Sequence, residues 1–307
     1  MGKIAFVFPG QGAQSVGMGR AAYEAHPGAR RIFERADETL GFKLSDLIFQ
    51  GPEEELKLTY NTQPALLTVS LALYEAFREK GPAPDFVAGH SLGEYSALAV
   101  AGVLSFEDAV TVVRARGQLM EKAVPAGQGA MAAVIGAERD ALAALCAEIS
   151  RTDGLVELAN VNCPGQIVVS GARAGVEAVV RRGKEAGARR VIPLEVSGPF
   201  HSSLMKPAAV QLREVLDKVT MKPAAVPVVA NVTARPLTDP DEIRAQLVDQ
   251  VYSPVLWEDS IVWLIEQGVD TFFEIGSGTV LAGLIRKIDR DVRIVSINTM
   301  EAIQLFE

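Results

Sequence analysis

Cysteine, histidine and positive charge are all scarce in this chain of 307 residues, and each shortage removes a class of function. Cys146 and Cys163 are too few for a disulfide framework and lack the partners of a zinc site, so no metal is expected and a reducing compartment suits the chain. The 30 Lys and Arg stand against 38 Asp and Glu, a formal net charge of −8, which argues against nucleic-acid binding because phosphate contact needs a basic surface. No uninterrupted apolar run approaches the ~18 residues of a membrane span. Met1-Gly2 leads straight into the strand-like Ile4-Ala5-Phe6-Val7-Phe8, and Phe6 stands where a myristoylation signal wants Ser or Thr. A cytoplasmic protein is the resulting expectation. Internal repeats and low-complexity linkers are also missing.

What is present is an ordinary globular mix, 49% apolar and 22% charged, long enough for one large domain and a smaller one. Its centre is Asp85-Phe86-Val87-Ala88-Gly89-His90-Ser91-Leu92-Gly93-Glu94. A short apolar run reads as a buried strand, and a serine flanked by glycines opens an Ala/Leu-rich helix from Ser91 to Ala101. Gly-x-Ser-x-Gly at a strand-to-helix turn is the pattern of a nucleophile elbow, whose strained backbone tolerates only small neighbours. Ser91 as a plain helix cap is the alternative reading.

Before the elbow, Pro9-Gly10-Gln11-Gly12-Ala13-Gln14-Ser15 follows the first strand. Ser15 in place of a third glycine, and Pro9 at the junction, speak against a dinucleotide loop and for a flexible loop with its N–H groups facing a site. Helical spacing predicts helices over 29–40 and from Thr62-Gln63-Pro64 to Gly81, the latter in the core. After the elbow, Ser105-Phe106-Glu107-Asp108 forms a capping box for a helix ending near Lys122. At ~100° per residue, Glu107, Thr111, Arg114, Gln118, Glu121 and Lys122 share the solvent arc, whereas Arg116 falls among Ala109, Val112, Val113 and Met120. A guanidinium turned inward must be paired, and no acid shares its arc. Either a core carboxylate or a ligand anion supplies the partner.

From Gly127 the pattern reads strand 130–135, helix 138–151, strand 156–162, strand 167–170, helix 173–186, strand 190–194, the order β-α-β-β-α-β of a ferredoxin-like unit. The fold expected is α/β: a large α/β-hydrolase-like domain with a parallel sheet, discontinuous over 1–126 and 197–307, carrying an inserted ferredoxin-like subdomain at 127–196. The later segment is expected to hold a helix over 202–219, a strand 226–232, helices near 240–252 and 254–267, strand 271–275, a helix ending near Ile288 and strand 292–297.

A nucleophilic serine needs a base, and imidazole is the usual one near neutrality. Of the three histidines, His26 lies before a proline in a polar helix end and His90 adjoins Ser91, its side chain expected to point away across the turn. His201, in Gly198-Pro199-Phe200-His201, remains. Most acids between Ser91 and His201, such as Asp108 and Glu148, sit on helix surfaces or in the insertion, so a hydrolase-type triad fits poorly and an orienting carbonyl, main-chain or amide, is the alternative.

Phe8-Pro9-Gly10-Gln11-Gly12, Gly89-His90-Ser91-Leu92-Gly93-Glu94-Tyr95, Arg116 with Gly117 and Met120, Asn160-Val161-Asn162 with Pro164-Gly165-Gln166, and Gly198-Pro199-Phe200-His201-Ser202 together resemble the malonyl-CoA:acyl carrier protein transacylase family over essentially the whole chain. The resemblance implies a ping-pong acyl transfer. In it Ser91 attacks the malonyl thioester, His201 is base and then acid, and the backbone N–H groups of Gln11 and Leu92 hold the oxyanion. Arg116 pairs with the free malonyl carboxylate, and the main-chain carbonyl of Gln250 orients the histidine. Asn160, Gln166 and Phe200 line the pocket, Phe200 being of the malonyl rather than the methylmalonyl type. The partners so implied are malonyl-CoA and an acyl carrier protein bearing phosphopantetheine, with no bound cofactor, no nucleic acid and no membrane, and a monomer is expected. Transfer in trans for polyketide synthesis and a serine thioesterase or hydrolase are the competing readings. The family's carrier is acidic, and Arg173, Arg181, Arg182, Lys184, Arg189 and Arg190 form the basic patch that could steer it, unless they are only a solvated helix face.

Overall fold

The computed structural model describes residues 2–306. Helices and eleven strands make up the described residues, the strands being β1 Lys3–Phe8, β2 Phe86–Gly89, β3 Gly129–Ile135, β4 Val156–Cys163, β5 Gln166–Ala172, β6 Arg190–Pro193, β7 Val228–Val229, β8 Pro236–Leu237, β9 Val255–Leu256, β10 Val269–Ile275 and β11 Arg293–Ile297. They form two sheets, ordered β11-β10-β1-β2-β7-β8 and β6-β3-β5-β4-β9. The first is parallel except for its last pair.

Strand β1 shows why the parallel sheet is covered on both faces. Phe6 and Phe8 enter one core, while Ala5 and Val7 enter another with Trp257, Leu264 and Phe272. From Ile4 to Phe8 every residue is apolar, and their alternation with period two buries both faces of the strand from Ala5 onward. The Thr59–Phe77 helix is likewise buried around nearly its whole circumference and packs against the Phe106–Lys122 helix. Gly117 makes that contact possible, because a Cβ there would lie 2.6 Å from the Tyr60 Cα.

In the second sheet β3 pairs antiparallel with β5 and β6, and β4 with β5. Helices Arg139–Thr152 and Arg173–Arg182 cover one side through Leu142, Ile149, Val176 and Val179. The sheet also recruits β9, which pairs parallel with β4 through Asn160 and Val255. Residues 255–256 were expected to be helical; Pro254 instead leads into extended backbone and the helix starts at Trp257.

Other boundaries differ for local reasons. The core helix begins at Thr59 and carries Pro64 inside it; the Tyr60 carbonyl, which Pro64 cannot donate to, accepts from Arg114 instead. The stretch 202–219 divides into a short 3-10 turn, Ser203–Met205, and a helix, Lys206–Leu216. The strand at 226–232 shortens to Val228–Val229 because the chain turns to present Asn231. Short helices Arg20–Ala25, Leu44–Gln50, Glu53–Lys57 and Met300–Gln304 were not anticipated. No helix among the described residues is long and apolar enough to cross a membrane.

Candidate active site

Ser91 stands where β2 ends and the Leu92–Val100 helix begins, with φ 51° and ψ −107°. A side chain at positive φ is strained by about 1–3 kcal/mol and persists only where surroundings enforce it. Here they do. A Cβ on Gly89 would fall 1.9 Å from the Gly93 carbonyl carbon, and one on Gly93 only 2.0 Å from the Phe8 carbonyl oxygen, so the glycines let β1, β2 and the helix touch. The Ser91 N–H donates to Asn231 Oδ1 at 2.7 Å, and Asn231 Nδ2 donates to the Gly89 carbonyl at 2.7 Å, clamping both sides of the turn.

His201 also has positive φ, 58°, which swings its ring from the Gly198–Phe200 turn toward the elbow. Its Nε2 lies 2.7 Å from Ser91 Oγ and its Nδ1 2.8 Å from the Gln250 carbonyl oxygen. A carbonyl can only accept, so Nδ1 carries the proton and Nε2 is left to accept from the serine hydroxyl. Burial first, then the neighbouring Arg116 charge, pushes the imidazole down to about 3, leaving a neutral base at physiological pH.

Arg116 is 1% exposed. Nη1 donates to Gln63 Oε1 at 2.8 Å, and Nη2 to Gln250 Oε1 at 2.9 Å and to Ser91 Oγ at 3.1 Å. The guanidinium lies 5.4 Å from the Tyr95 ring centroid, and its Nε has no hydrogen-bond partner. Every acceptor it has is neutral, so a cation with a several-kcal/mol desolvation cost faces the serine without a contacting acid. Arg114, expected in solvent, is instead half-buried against Phe42 and Tyr60, where it donates to the Tyr60 carbonyl and to Asn61 Oδ1.

A cavity of about 480 Å³ opens beside these groups. Gln11, Leu92, Asn160, Gln166 and Phe200 all line it, together with Ser91, Arg116 and His201. Leu92 is the first helical residue, so its N–H has no carbonyl one turn back inside the helix. Gln11 hangs from the loop after β1, Asn160 from β4, and Gln166 from the start of β5, where its Oε1 accepts from Lys287 Nζ at 3.0 Å. A hollow of about 520 Å³ on the other side of His201, against Tyr252 and Pro254, is not lined by Ser91.

Of the other two histidines, His90 departs from expectation and His26 does not. The His90 side chain does not point away: it lines the same cavity, its Nε2 2.8 Å from Asn162 Oδ1 and its ring 5.6 Å from that of Trp257. It makes no contact with Ser91 Oγ. His26 caps the Pro27–Leu40 helix, accepting from the Ala29 N–H.

Sequence reasoning missed Asn231, Gln63 and Glu94. Glu94 gave a signal, a lone acid on the otherwise apolar Leu92–Val100 helix, and it is 3% exposed. Its Oε2 accepts from the Gln250 Nε2 at 2.8 Å and from the Asn231 N–H at 3.1 Å. Burial drives its carboxyl up to about 7 despite those donors and the Arg116 charge.

A serine, a neutral imidazole oriented by a carbonyl, and a cation against the reacting oxygen form a site for acyl transfer to or from an anionic acyl group. Residues 5–299 match the acyl transferase domain model, and the chain belongs to that family. Among its relatives, the malonyl CoA-acyl carrier protein transacylase of Bacillus subtilis is 57% identical over 305 residues, spanning 99% of this chain and 96% of the relative. The acyl-carrier-protein-S-malonyltransferase of Bartonella henselae superposes with a TM-score of 0.96 at 45% identity, over 99% of this chain and 98% of that one. A malonyl-transacylase solved in complex with its type II PKS acyl-carrier protein gives the same TM-score, 0.96, at 42% identity over 99% and 98% of the two chains.

Proposed function

We propose that the protein transfers the malonyl group of malonyl-CoA to the phosphopantetheine thiol of acyl carrier protein, through a malonyl ester on Ser91, and so supplies extender units for fatty-acid synthesis. The observation that carries the reading is Arg116 Nη2 held 3.1 Å from Ser91 Oγ with only neutral acceptors around it.

In the first half-reaction His201 Nε2 takes the Ser91 proton as Oγ attacks the thioester carbonyl. The tetrahedral oxyanion accepts hydrogen bonds from the Gln11 and Leu92 N–H groups. Collapse expels the CoA thiolate, which takes the proton from His201. The carrier's thiol then gives its proton to His201, attacks the ester, and leaves with the malonyl group while Oγ recovers the proton. Arg116 supplies paired donors to the free carboxylate, whose anionic tail an apolar pocket would reject. Asn160, Gln166 and Phe200 shape the wall along which the pantetheine arm runs.

The architecture fits this use. Residues 1–126 and 197–307 are read as an α/β-hydrolase-like catalytic domain and 127–196 as an inserted ferredoxin-like subdomain, supported by the β6-β3-β5-β4 order and its antiparallel pairings. No resident cofactor enters the chemistry, and a cytoplasmic setting suits its two buried free thiols.

Mass spectrometry after mixing with malonyl-CoA tests the reading. A malonyl adduct on Ser91 that holo-carrier protein removes is expected, and Ser91→Ala should carry none. Rapid release of free malonate without carrier would make the protein a thioesterase. The neighbour bound to a type II PKS carrier keeps polyketide supply as a second destination. Comparing discharge to fatty-acid and polyketide carriers separates the two.

A further inference from the structure

The cation at the heart of the site is buried without touching an acid, yet one carboxylate lies a single amide away. Gln250 is 0% exposed, and its side chain is wedged between charges: Oε1 accepts from Arg116 and Nε2 donates to Glu94 Oε2. The amide cannot reverse, because a guanidinium only donates and so holds Oε1, which leaves Nε2 to face Glu94. The Gln250 Nε2 also donates to the Ser91 carbonyl at 3.1 Å, and the Asn231 that receives the Ser91 N–H gives its own N–H to Glu94.

We propose that Glu94 is the displaced counter-charge of Arg116, a positioning residue that acts through Gln250 and sets how strongly the site holds an anionic acyl group. The inference rests on the reading of Arg116 as the malonyl-carboxylate ligand. A carboxylate in direct contact would neutralise the guanidinium and block the incoming anion. Held behind an amide, it tempers the burial of the cation while leaving its Ser91 face free. When the malonyl carboxylate arrives, two anions share one buried cation, so acyl binding and a proton on Glu94 favour each other.

The other titratable groups around Glu94 are few. Arg116 and Tyr95 face it from the Phe106–Lys122 and Leu92–Val100 helices, and His201 and His90 lie across Ser91; Asn231 and Gln250 bring no charge from their segments. With its carboxyl raised to about 7 by burial, Glu94 is poised to take up a proton near neutrality.

Glu94→Gln is the test, since an amide oxygen can still accept from Gln250 and Asn231 while the charge is lost. The ratio of KM for malonyl-CoA to KM for acetyl-CoA should fall on the order of 5- to 10-fold at pH 8, the size of a charge coupling through a polar site. It should also lose its rise between pH 6 and 8. An unchanged or increased ratio would overturn the proposal and leave Glu94 as an anchor for Gln250. Should the variant fail to fold, calorimetry on Ser91→Ala decides, with titrations in two buffers of different ionisation enthalpy. Net proton uptake with malonyl-CoA but not acetyl-CoA at pH 7 is expected, and equal uptake for both would refute it. Arg116→Ala separates the two layers. If it keeps a malonyl preference, the underlying reading fails; if it loses that preference while Glu94→Gln changes nothing, only this inference fails.

Discussion

At the scale of single residues, the site depends on side chains held where they are intrinsically uncomfortable: Ser91 and His201 at positive φ, and Arg116 buried as a cation. Replacing Arg116 with alanine removes two charged donors from a desolvated position. Malonyl transfer should drop on the order of 100-fold or more, while acetyl transfer is spared, as steady-state rates with both donors would show. An unchanged malonyl preference would dismiss Arg116 as the selector. His201 makes a prediction about stability. Its ordinary pKa is about 6.5 in an unfolded chain, but burial and Arg116 hold it at about 3 in the fold. Between those values the unfolded state binds the extra proton, so the stability owed to this group is complete above about 6.5 and drains away as pH falls toward 3. The thermal midpoint of the wild type should therefore fall more between pH 7 and 4 than that of His201→Asn. Parallel curves would show that the imidazole is not the group that resists protonation.

At the scale of elements, what was legible in the sequence follows from how local each constraint is. The 3.6-residue period of the Phe106–Lys122 helix was enough to turn Arg116 inward, and the elbow glycines announced the β2-to-helix turn, because both arguments need only neighbours in the chain. The partners were hidden because they are distant: Asn231 reaches Ser91 across 140 positions, and Gln250 reaches Arg116 across 134. The same limit explains β9, a two-residue strand that exists only because β4 offers an edge. Gly117 lies between the two regimes. Local reading places it beside Arg116, but only the packed pair of helices shows that it admits Tyr60. Gly117→Ala must push the two helices apart. A loss of about 1–3 kcal/mol in unfolding free energy is expected, together with a malonyl KM raised more than an acetyl KM, since Arg116 would withdraw from Gln63. Equal effects on both donors would mean that the helix contact does not set the position of the guanidinium.

At the scale of the whole molecule, the acidic carrier that the family resemblance implies would have to be drawn to a chain of net charge −8 through local positive potential. The basic residues of the second sheet and its helices were read as one patch, yet they are not equally free. Arg182 is tied to Glu148 at 2.7 Å and to Glu185 at 2.8 Å, and Arg181 lies 3.5 Å from Asp153. Those charges are largely cancelled at a distance. Arg189 and Arg190 are exposed at the head of β6, an edge strand that runs directly into Leu194, Glu195 and Val196 on the cavity wall. If a partner delivers its pantetheine arm along this edge strand, Arg189 and Arg190 are the charges that would steer it. Reversing Arg189 and Arg190 to glutamate should raise KM for the carrier several-fold at low salt, with the difference shrinking as ionic strength shortens the Debye length toward ~3 Å at 1 M. Reversing Arg181 and Arg182 removes the same amount of charge, so a smaller rise in KM there is the expected mark of a carrier that approaches along β6. If the second pair matters more than the first, the carrier approaches over the Arg173–Arg182 helix and the edge of β6 plays no part in steering it.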